Sequence, residues 1–232
     1  MSAGGPATSF SGAAAVIWAP VGTLRRVAEG RRALPGLAVV VANTALSVIL
    51  STVFVLTGAT RRSVERQAAQ QPDLHPDTPE LVARVAEVGT LALAALSPVA
   101  IWLVVSLLMH FATRPFGGTG PLSSMLGVVG VAQAPLVVGN VLGAVLSGLR
   151  LLAGAGTPVG AALDYLVFLA SIGFSLWYVV LVVVGAACAR NIGYGESAGS
   201  CALSCVGLVI LIIVVVVAAA VGIFATVNAA AP

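Results

Sequence analysis

The chain has 232 residues, of which 59% are hydrophobic and 8% are charged, and its mean hydropathy is +1.08. An ordinary soluble domain carries about a quarter charged residues, so the composition excludes that class. The net charge of +3 comes from arginine, since lysine does not occur. These arginines flank apolar stretches, where anionic lipid headgroups are a simpler partner than nucleic acid, and we expect no nucleic-acid binding.

Residues 1–19 are small and uncharged, with no basic run of the kind that opens a secretory signal, and we predict a disordered tail. Residues 20–33 follow as an amphipathic segment, because Pro20 suits a first helical turn and Val21, Leu24 and Val27 recur at helical spacing. Its basic residues are Arg25, Arg26, Arg31 and Arg32. The pattern is typical both of a helix lying in the interface with its arginines on anionic headgroups and of a solvated lead-in to the membrane.

Five later stretches are apolar and long enough to cross the hydrocarbon core, which takes about 20 helical residues. The predicted spans are 34–57, 88–111, 122–146, 165–189 and 201–227. The sequence therefore predicts an all-α polytopic membrane protein: a bundle of five transmembrane helices over residues 34–228, preceded by a short amphipathic N-terminal helix.

Local signals refine these boundaries. Asp164 precedes the fourth span and Ser200 the fifth, where each is a candidate helix cap. If the N-terminus is inside the cell, six arginines lie on the cytoplasmic side and five on the other side. This small difference does not settle the orientation by the positive-inside rule. Four of them precede the first span, so we expect a cytoplasmic N-terminus and a C-terminus outside.

The third span carries the least ordinary polar residues. Gln133 and Asn140 are two turns apart and share a face, and Pro135 between them predicts a kink near Val131. Asn43 is a further buried amide, in the first span, and a small-residue stripe that favours close helix packing follows the proline: Gly139, Gly143 and Ser147. Two interpretations remain open, a kinked helix that lines a polar passage and a set of amides that bond neighbouring helices together.

Catalytic, cofactor and metal sites are not indicated. The chain has no nucleophile elbow, zinc-protease motif or phosphate loop, and its three cysteines, Cys188, Cys201 and Cys205, form no CxxC pair. His75 lies between two aspartates but has no second histidine nearby. We predict that the protein is not an enzyme and holds no cofactor.

Three segments resemble the Yip family, membrane proteins named for interaction with Ypt/Rab GTPases. They are the pre-membrane run 20–27, the glycine-rich turn 116–120 with the small-residue helix 128–135, and Trp177 with the basic turn 190–194. The resemblance implies five spans, a cytoplasmic N-terminus and no catalytic activity, and in eukaryotic members vesicle trafficking and membrane shaping. The polar N-terminal region here is very short, so GTPase binding is not carried over, and a bacterial-type member in the plasma membrane is expected.

Together these observations favour a membrane-organising or scaffold protein whose partners are the lipid bilayer with its anionic headgroups and, through self-association or otherwise, membrane proteins. The alternative hypothesis is a small transporter or channel that uses the kinked third span.

Overall fold

A computed structural model describes residues 15–68, 78–154, 157–210 and 217. No strand occurs among these residues, and single 3-10 turns lie at Ala15–Ile17 and Arg114–Phe116. The helices are α1 (Pro20–Glu29), α2 (Leu34–Leu56), α3 (Ala59–Ala68), α4 (Thr78–Ala112), α5 (Leu122–Ala132), α6 (Ala134–Ala153), α7 (Pro158–Arg190) and α8 (Tyr194–Ile210).

Four stretches are long and apolar enough to cross a membrane: Leu34–Leu56, Glu80–Phe116, Leu122–Ala153 and Pro158–Arg190. The shortest has 23 residues, and at about 1.5 Å per residue it exceeds the hydrocarbon thickness of about 30 Å. The predicted fold class, an all-α polytopic membrane protein, is confirmed. The shorter apolar helix α8 covers the start of the predicted fifth span, and the rest of that span, apart from Val217, lies outside the described residues.

The start of α7 corrects the expected cap at Asp164. The helix begins at Pro158, and the hydroxyl of Thr157 accepts a hydrogen bond of 3.0 Å from the N–H of Gly160. Asp164 lies inside the helix and forms an ion pair of 2.7 Å with Arg150 of α6. Extended backbone at Thr157 followed by proline is a stronger start signal than a later carboxylate.

Ser200 is likewise inside its helix. Its hydroxyl donates to the carbonyl of Glu196 at 2.9 Å. The Glu196 carboxylate accepts a 2.8 Å bond from the N–H of Gly193, so it satisfies one of the free donors at the start of α8. The expected cap at Ser200 is therefore wrong.

Two helices approach each other through glycine. A Cβ atom on Gly36 of α2 would lie 2.6 Å from the carbonyl oxygens of Leu126 and Gly127 in α5, and Gly130 faces Gly36 just as closely. No side chain fits between these backbones. Close approach through small residues is how membrane helices gain packing energy without a hydrophobic driving force.

α1 packs along α5 and α7. Leu24 and Ala28 are buried in this contact, and the hydroxyl of Ser124 donates to the Ala28 carbonyl at 3.0 Å. Ser124 lies in the first turn of α5, so the C-terminal end of α1 is beside the start of α5. We call this side of the bundle the α1 end; it also contains the start of α8 and the C-terminal ends of α4 and α7.

A short turn precedes α1. Ala15–Ile17 form a 3-10 turn that contacts α6, and the side chain of Val16 is fully buried, whereas Trp18 and Ala19 are exposed. Residues 1–14 of the predicted tail lie outside the described part of the chain.

The loop after α4 is held by Arg190, at the last turn of α7. This arginine is 3% exposed, and its guanidinium donates to the Thr113 hydroxyl at 3.0 Å and to the Gly118 carbonyl at 2.6 Å. In return the N–H of Thr119 donates to the Arg190 carbonyl at 3.0 Å. A cation placed at two helix C-termini is stabilised by their dipoles, so Arg190 joins α4, the loop and α7.

We expect Gly36→Ala to lower the free energy of unfolding by about 1–3 kcal/mol, because the new methyl group has no space between α2 and α5. Thermal unfolding in detergent measures the loss. The matched control is Gly173→Ala in α7, where a Cβ atom would meet nothing within 4 Å. Equal stability of the two variants would contradict the close helix crossing.

Candidate functional site

The third span is interrupted at Gln133. α5 ends at Ala132 and α6 begins at Ala134, with Pro135 in the first turn of α6. Proline has no N–H to donate to the preceding turn, and its ring crowds that turn, so an uninterrupted helix is unfavourable here. The break lies two residues beyond Val131, where the sequence predicts the kink.

Side-chain amides from two spans meet at this break. Asn43 of α2 donates a 3.2 Å hydrogen bond to the side-chain carbonyl of Gln133, and Asn140 of α6 donates to that of Asn43 at 3.0 Å. The Gln133 amide nitrogen donates to the backbone carbonyl of Pro98 in α4 at 3.1 Å. The three amides, with Pro98, are called the amide chain below.

The amide chain lies in the interior of the bundle. Gln133 is 0% exposed and Asn43 is 4% exposed. In hydrocarbon an unpaired amide costs several kcal/mol, so each bond mainly avoids a penalty. Measured side-chain bonds between membrane helices average about 0.6 kcal/mol, which makes the chain a positioning device more than a large energy source.

A second bond attaches α4 to α5 near the amide chain. The indole N–H of Trp102 donates to the carbonyl of Leu126 at 2.8 Å, and the Trp102 side chain is 8% exposed. The polar contacts of this interior therefore connect α2, α4, α5 and α6.

We expect Gln133→Leu to reduce the free energy of unfolding by about 1–3 kcal/mol, since it leaves the buried side-chain nitrogen of Asn43 without its acceptor. Titration with a denaturing detergent measures the change. Thr52→Val is the control in α2, because that hydroxyl donates within its own helix, to Val48. If the double variant Asn43→Leu/Gln133→Leu lost the full sum of the two single effects, the two amides would not be coupled.

A cavity of about 470 Å³ lies beside the amide chain, between α2, α4, α6 and α7. Of its wall residues, eight carry a hydroxyl or an amide: Ser47, Ser51, Thr90, Ser97, Asn140, Ser147, Ser171 and Ser175. None of the described residues in the wall is ionisable. Asn140 belongs to both the wall and the amide chain, and its side-chain nitrogen also approaches the Ser47 hydroxyl at 3.5 Å.

The small-residue stripe is divided between packing and the cavity. A Cβ atom on Gly139 would lie 2.9 Å from the ring of Phe174, so the absence of a side chain at this glycine lets α7 pack close to α6. Gly143 faces open space, and together with Ser147 it lines the cavity.

The four predicted lipid-contacting arginines, Arg25, Arg26, Arg31 and Arg32, are exposed and lie at the α1 end, away from the amide chain. Arg31 adopts a left-handed backbone with φ of 50° in the turn that leads to α2. The Arg26 guanidinium donates to the Gly22 carbonyl within its own helix at 3.2 Å.

Sequence reasoning missed three residues that join helices. It assigned no role to Pro98 or Trp102 of the interior, and it named Arg190, at the α1 end, only as part of the basic turn 190–194. Their partners lie 35, 24 and 77 residues away. Pro98 gave a partial signal: its missing N–H frees the carbonyl of Ala94, one turn before the Pro98 carbonyl that Gln133 bonds.

The described residues contain no group of three or more His, Cys, Asp or Glu placed to hold a metal ion. Cys188, Cys201 and Cys205 are free thiols.

The helices, their hydropathy and the buried neutral amides define an integral membrane protein of the all-α class. Residues 14–225 match the sequence model of the Yip1 domain, and the chain belongs to the Yip family. No curated protein and no solved structure shows significant similarity to it.

Proposed function

We propose that this protein is a non-enzymatic membrane-organising or scaffold protein that holds one end of its bundle against anionic headgroups. The observation that carries the proposal is the charge of the α1 end. Six arginines and two carboxylates lie there, a net charge of +4, and the arginines are Arg25, Arg26, Arg31, Arg32, Arg114 and Arg190. The described residues of the opposite end carry five arginines and four carboxylates, a net charge of +1.

The pairing of these charges differs as well. At the opposite end Arg61 pairs with Glu65 at 3.1 Å, Arg84 with Glu80 at 2.8 Å and Arg150 with Asp164 at 2.7 Å. Among the described residues, no arginine of the α1 end forms an ion pair with a carboxylate, and all but Arg190 are exposed. Exposed arginines without carboxylate partners are suited to lipid phosphates.

Exposed aromatic residues mark the same end. Tyr194, at the start of α8, is 51% exposed, and Arg114 lies over the ring of the exposed Phe111 at 4.8 Å. Tyrosine favours the headgroup level of a bilayer, so Tyr194 supports an interfacial position for the α1 end.

The placement of α1 supports the membrane-organising part of the proposal. α1 packs beside α5 and the C-terminal part of α7, so within the described residues it adds width to the α1 half of the bundle and none to the other half. An inserted amphipathic segment that widens one leaflet responds to membrane curvature and lipid composition.

Localisation and partners follow from this arrangement. We place the α1 end in the cytoplasm, with the C-terminus outside, in the plasma membrane of a bacterium, because basic segments are retained on the cytoplasmic side. The partners are anionic lipids and, through the apolar outer surface, other membrane proteins or further copies of the chain. In this proposal the amides and hydroxyls of the interior stabilise the bundle or bind a ligand, and they do not catalyse a reaction.

We expect replacement of Arg25, Arg26, Arg31 and Arg32 by glutamine to reduce co-purified phosphatidylglycerol several-fold in mixed phosphatidylcholine micelles, since each surface arginine contributes about 1 kcal/mol of attraction to an anionic membrane. Lipid extraction and quantitation from the purified protein measure the change. The difference should shrink in high salt, because exposed charges are screened.

The matched control replaces four arginines of the opposite end by glutamine: Arg61, Arg62, Arg84 and Arg150. This variant loses the same formal charge and should retain phosphatidylglycerol close to the wild-type level. An equal loss in both variants would show that total charge, and not the α1 end, attracts the lipid. Crosslinking in the native membrane identifies protein neighbours of the same surface.

The cavity favours a second candidate, a small transporter or channel for uncharged solutes. Asn140 lies in its wall as this hypothesis requires, whereas Gln133 is fully buried with both ends of its amide bonded. A passage along this route would therefore involve Asn140 and not Gln133.

For this candidate we expect liposomes with the wild-type protein to take up an uncharged solute faster than protein-free liposomes, and Asn140→Leu to abolish the difference by placing an apolar side chain in the wall. Stopped-flow light scattering measures the uptake. Val141→Leu is the control, because Val141 is 48% exposed on the outside of the same helix. Absence of uptake across a broad solute panel would contradict transport.

A further inference from the structure

We infer that the cavity between α2, α4, α6 and α7 is a binding site for an uncharged molecule that carries several hydroxyl groups. The two sources of such chemistry in a membrane are the glycerol head of an uncharged lipid, such as a monoacylglycerol, and a free polyol such as glycerol. This inference concerns a bound ligand and does not require transport or the arginines of the α1 end.

The wall excludes a charged ligand on energetic grounds. A buried ion in a low-dielectric site is costly unless an opposite charge pairs with it. The described wall residues include no Asp, Glu, Lys, Arg or His. The nearest polar partners are hydroxyls and one amide, which stabilise dipoles better than ions.

The wall combines apolar surface with hydrogen-bonding groups. Its seven hydroxyls and the Asn140 amide come from all four helices, and they lie among apolar side chains that make up most of the wall. Thr90 and Ser171 satisfy their donors within their own helices, at Ala86 and Phe168. Their oxygen lone pairs still accept, so a ligand that donates hydrogen bonds makes contacts here that a hydrocarbon cannot make.

Pro98 supplies a further acceptor. A proline has no N–H, so the carbonyl of Ala94, four residues earlier in α4, lacks its usual helical donor. Ala94 and Ser97 both belong to the cavity wall. A ligand hydroxyl can donate to this carbonyl, as the Gln133 amide does to the carbonyl of Pro98 one turn further along.

The size and access of the cavity match an amphiphilic ligand. Its volume of about 470 Å³ lies within the range of small-molecule sites and equals the liquid volume of roughly 15 water molecules. Ser171 and Ser175 are exposed in the described part of the chain, so the polar wall is reached from the side of α7. Leu50, Phe54 and Leu93 provide apolar wall for an acyl chain.

The test compares Gly143→Leu with Gly148→Leu in α6. A Cβ atom meets nothing within 4 Å at either glycine, so both positions have space where the side chain leaves the backbone, and leucine favours the helix over glycine. Only Gly143 lines the cavity, so Gly143→Leu would place its new side chain in the ligand space. In phosphatidylcholine nanodiscs, a photoreactive monoacylglycerol should label the wild type and Gly148→Leu equally, and Gly143→Leu at least about tenfold less.

Removal of hydroxyls gives a milder variant. Ser171→Ala/Ser175→Ala keeps the volume open, and we expect labelling to fall by about three- to tenfold through lost hydrogen bonds. A second arm measures radiolabelled glycerol on the detergent-solubilised protein by equilibrium dialysis. Glycerol binding that disappears in Gly143→Leu identifies a free polyol as sufficient; lipid labelling without glycerol binding identifies the lipid head.

Three outcomes would overturn the inference. One is the absence of binding in both arms. Another is equal labelling of the wild type and Gly143→Leu. The third is equally strong labelling of the same wall helices by a photoreactive fatty acid, whose carboxylate the wall should reject.

Discussion

Gln133 occupies the point where the third span is interrupted, and hydrocarbon offers no water to satisfy the polar groups that such a break exposes. An intact helix pairs its own backbone N–H and C=O groups. Pro135 has no N–H to donate, so the span is divided there into two helices, α5 and α6. Neighbouring helices hold the Gln133 side chain at this break: its carbonyl accepts from Asn43 of α2, and its amide nitrogen donates to the Pro98 carbonyl of α4. The geometry of the described bundle depends on this constraint.

The glycine contact makes that arrangement possible. Asn43 reaches Gln133 because α2 lies against α5 with no side chain between them, through Gly36, Gly127 and Gly130. Two turns after Gly36 the same face of α2 presents Asn43, and one turn later it presents Ser47 to the cavity. Close packing between Gly36 and α5 therefore sets the hydrogen bonds of Asn43 two turns later, and the helices border the cavity beyond them.

Polar chemistry in this Yip family member thus has two separate locations. Charge is concentrated at the α1 end, where arginines are exposed and Arg190 holds the loop between α4 and α5. Among the described residues, the amide chain and the cavity wall contain amides and hydroxyls and no ionisable group. This separation is what a bilayer imposes, since charges are tolerated at the headgroup level and neutral dipoles are tolerated at depth when they are bonded.

Hydropathy and length predicted the membrane class, the four described spans and which polar residues these spans contain. They could do so because the free-energy cost of transferring a residue into hydrocarbon is a local property. The unusual character of the third span was also readable, since Pro135, Gln133 and Asn140 are polar or helix-breaking in any environment. Boundaries were less accurate: α7 begins at Pro158, because Thr157 caps it, and Asp164 pairs with Arg150 instead.

The sequence by itself determined which segments are apolar helices and which polar residues they carry. Only the tertiary structure decided the partners: Asn43 with Gln133 across 90 residues, Arg190 with Thr113 across 77, and the four-helix cavity with Gly143 in its wall. The physical reason is that partner choice depends on which helix faces meet. In lipid every face is apolar, so the pattern of hydrophobic residues carries little information about which face turns inward, and close glycine contacts and hydrogen bonds decide it.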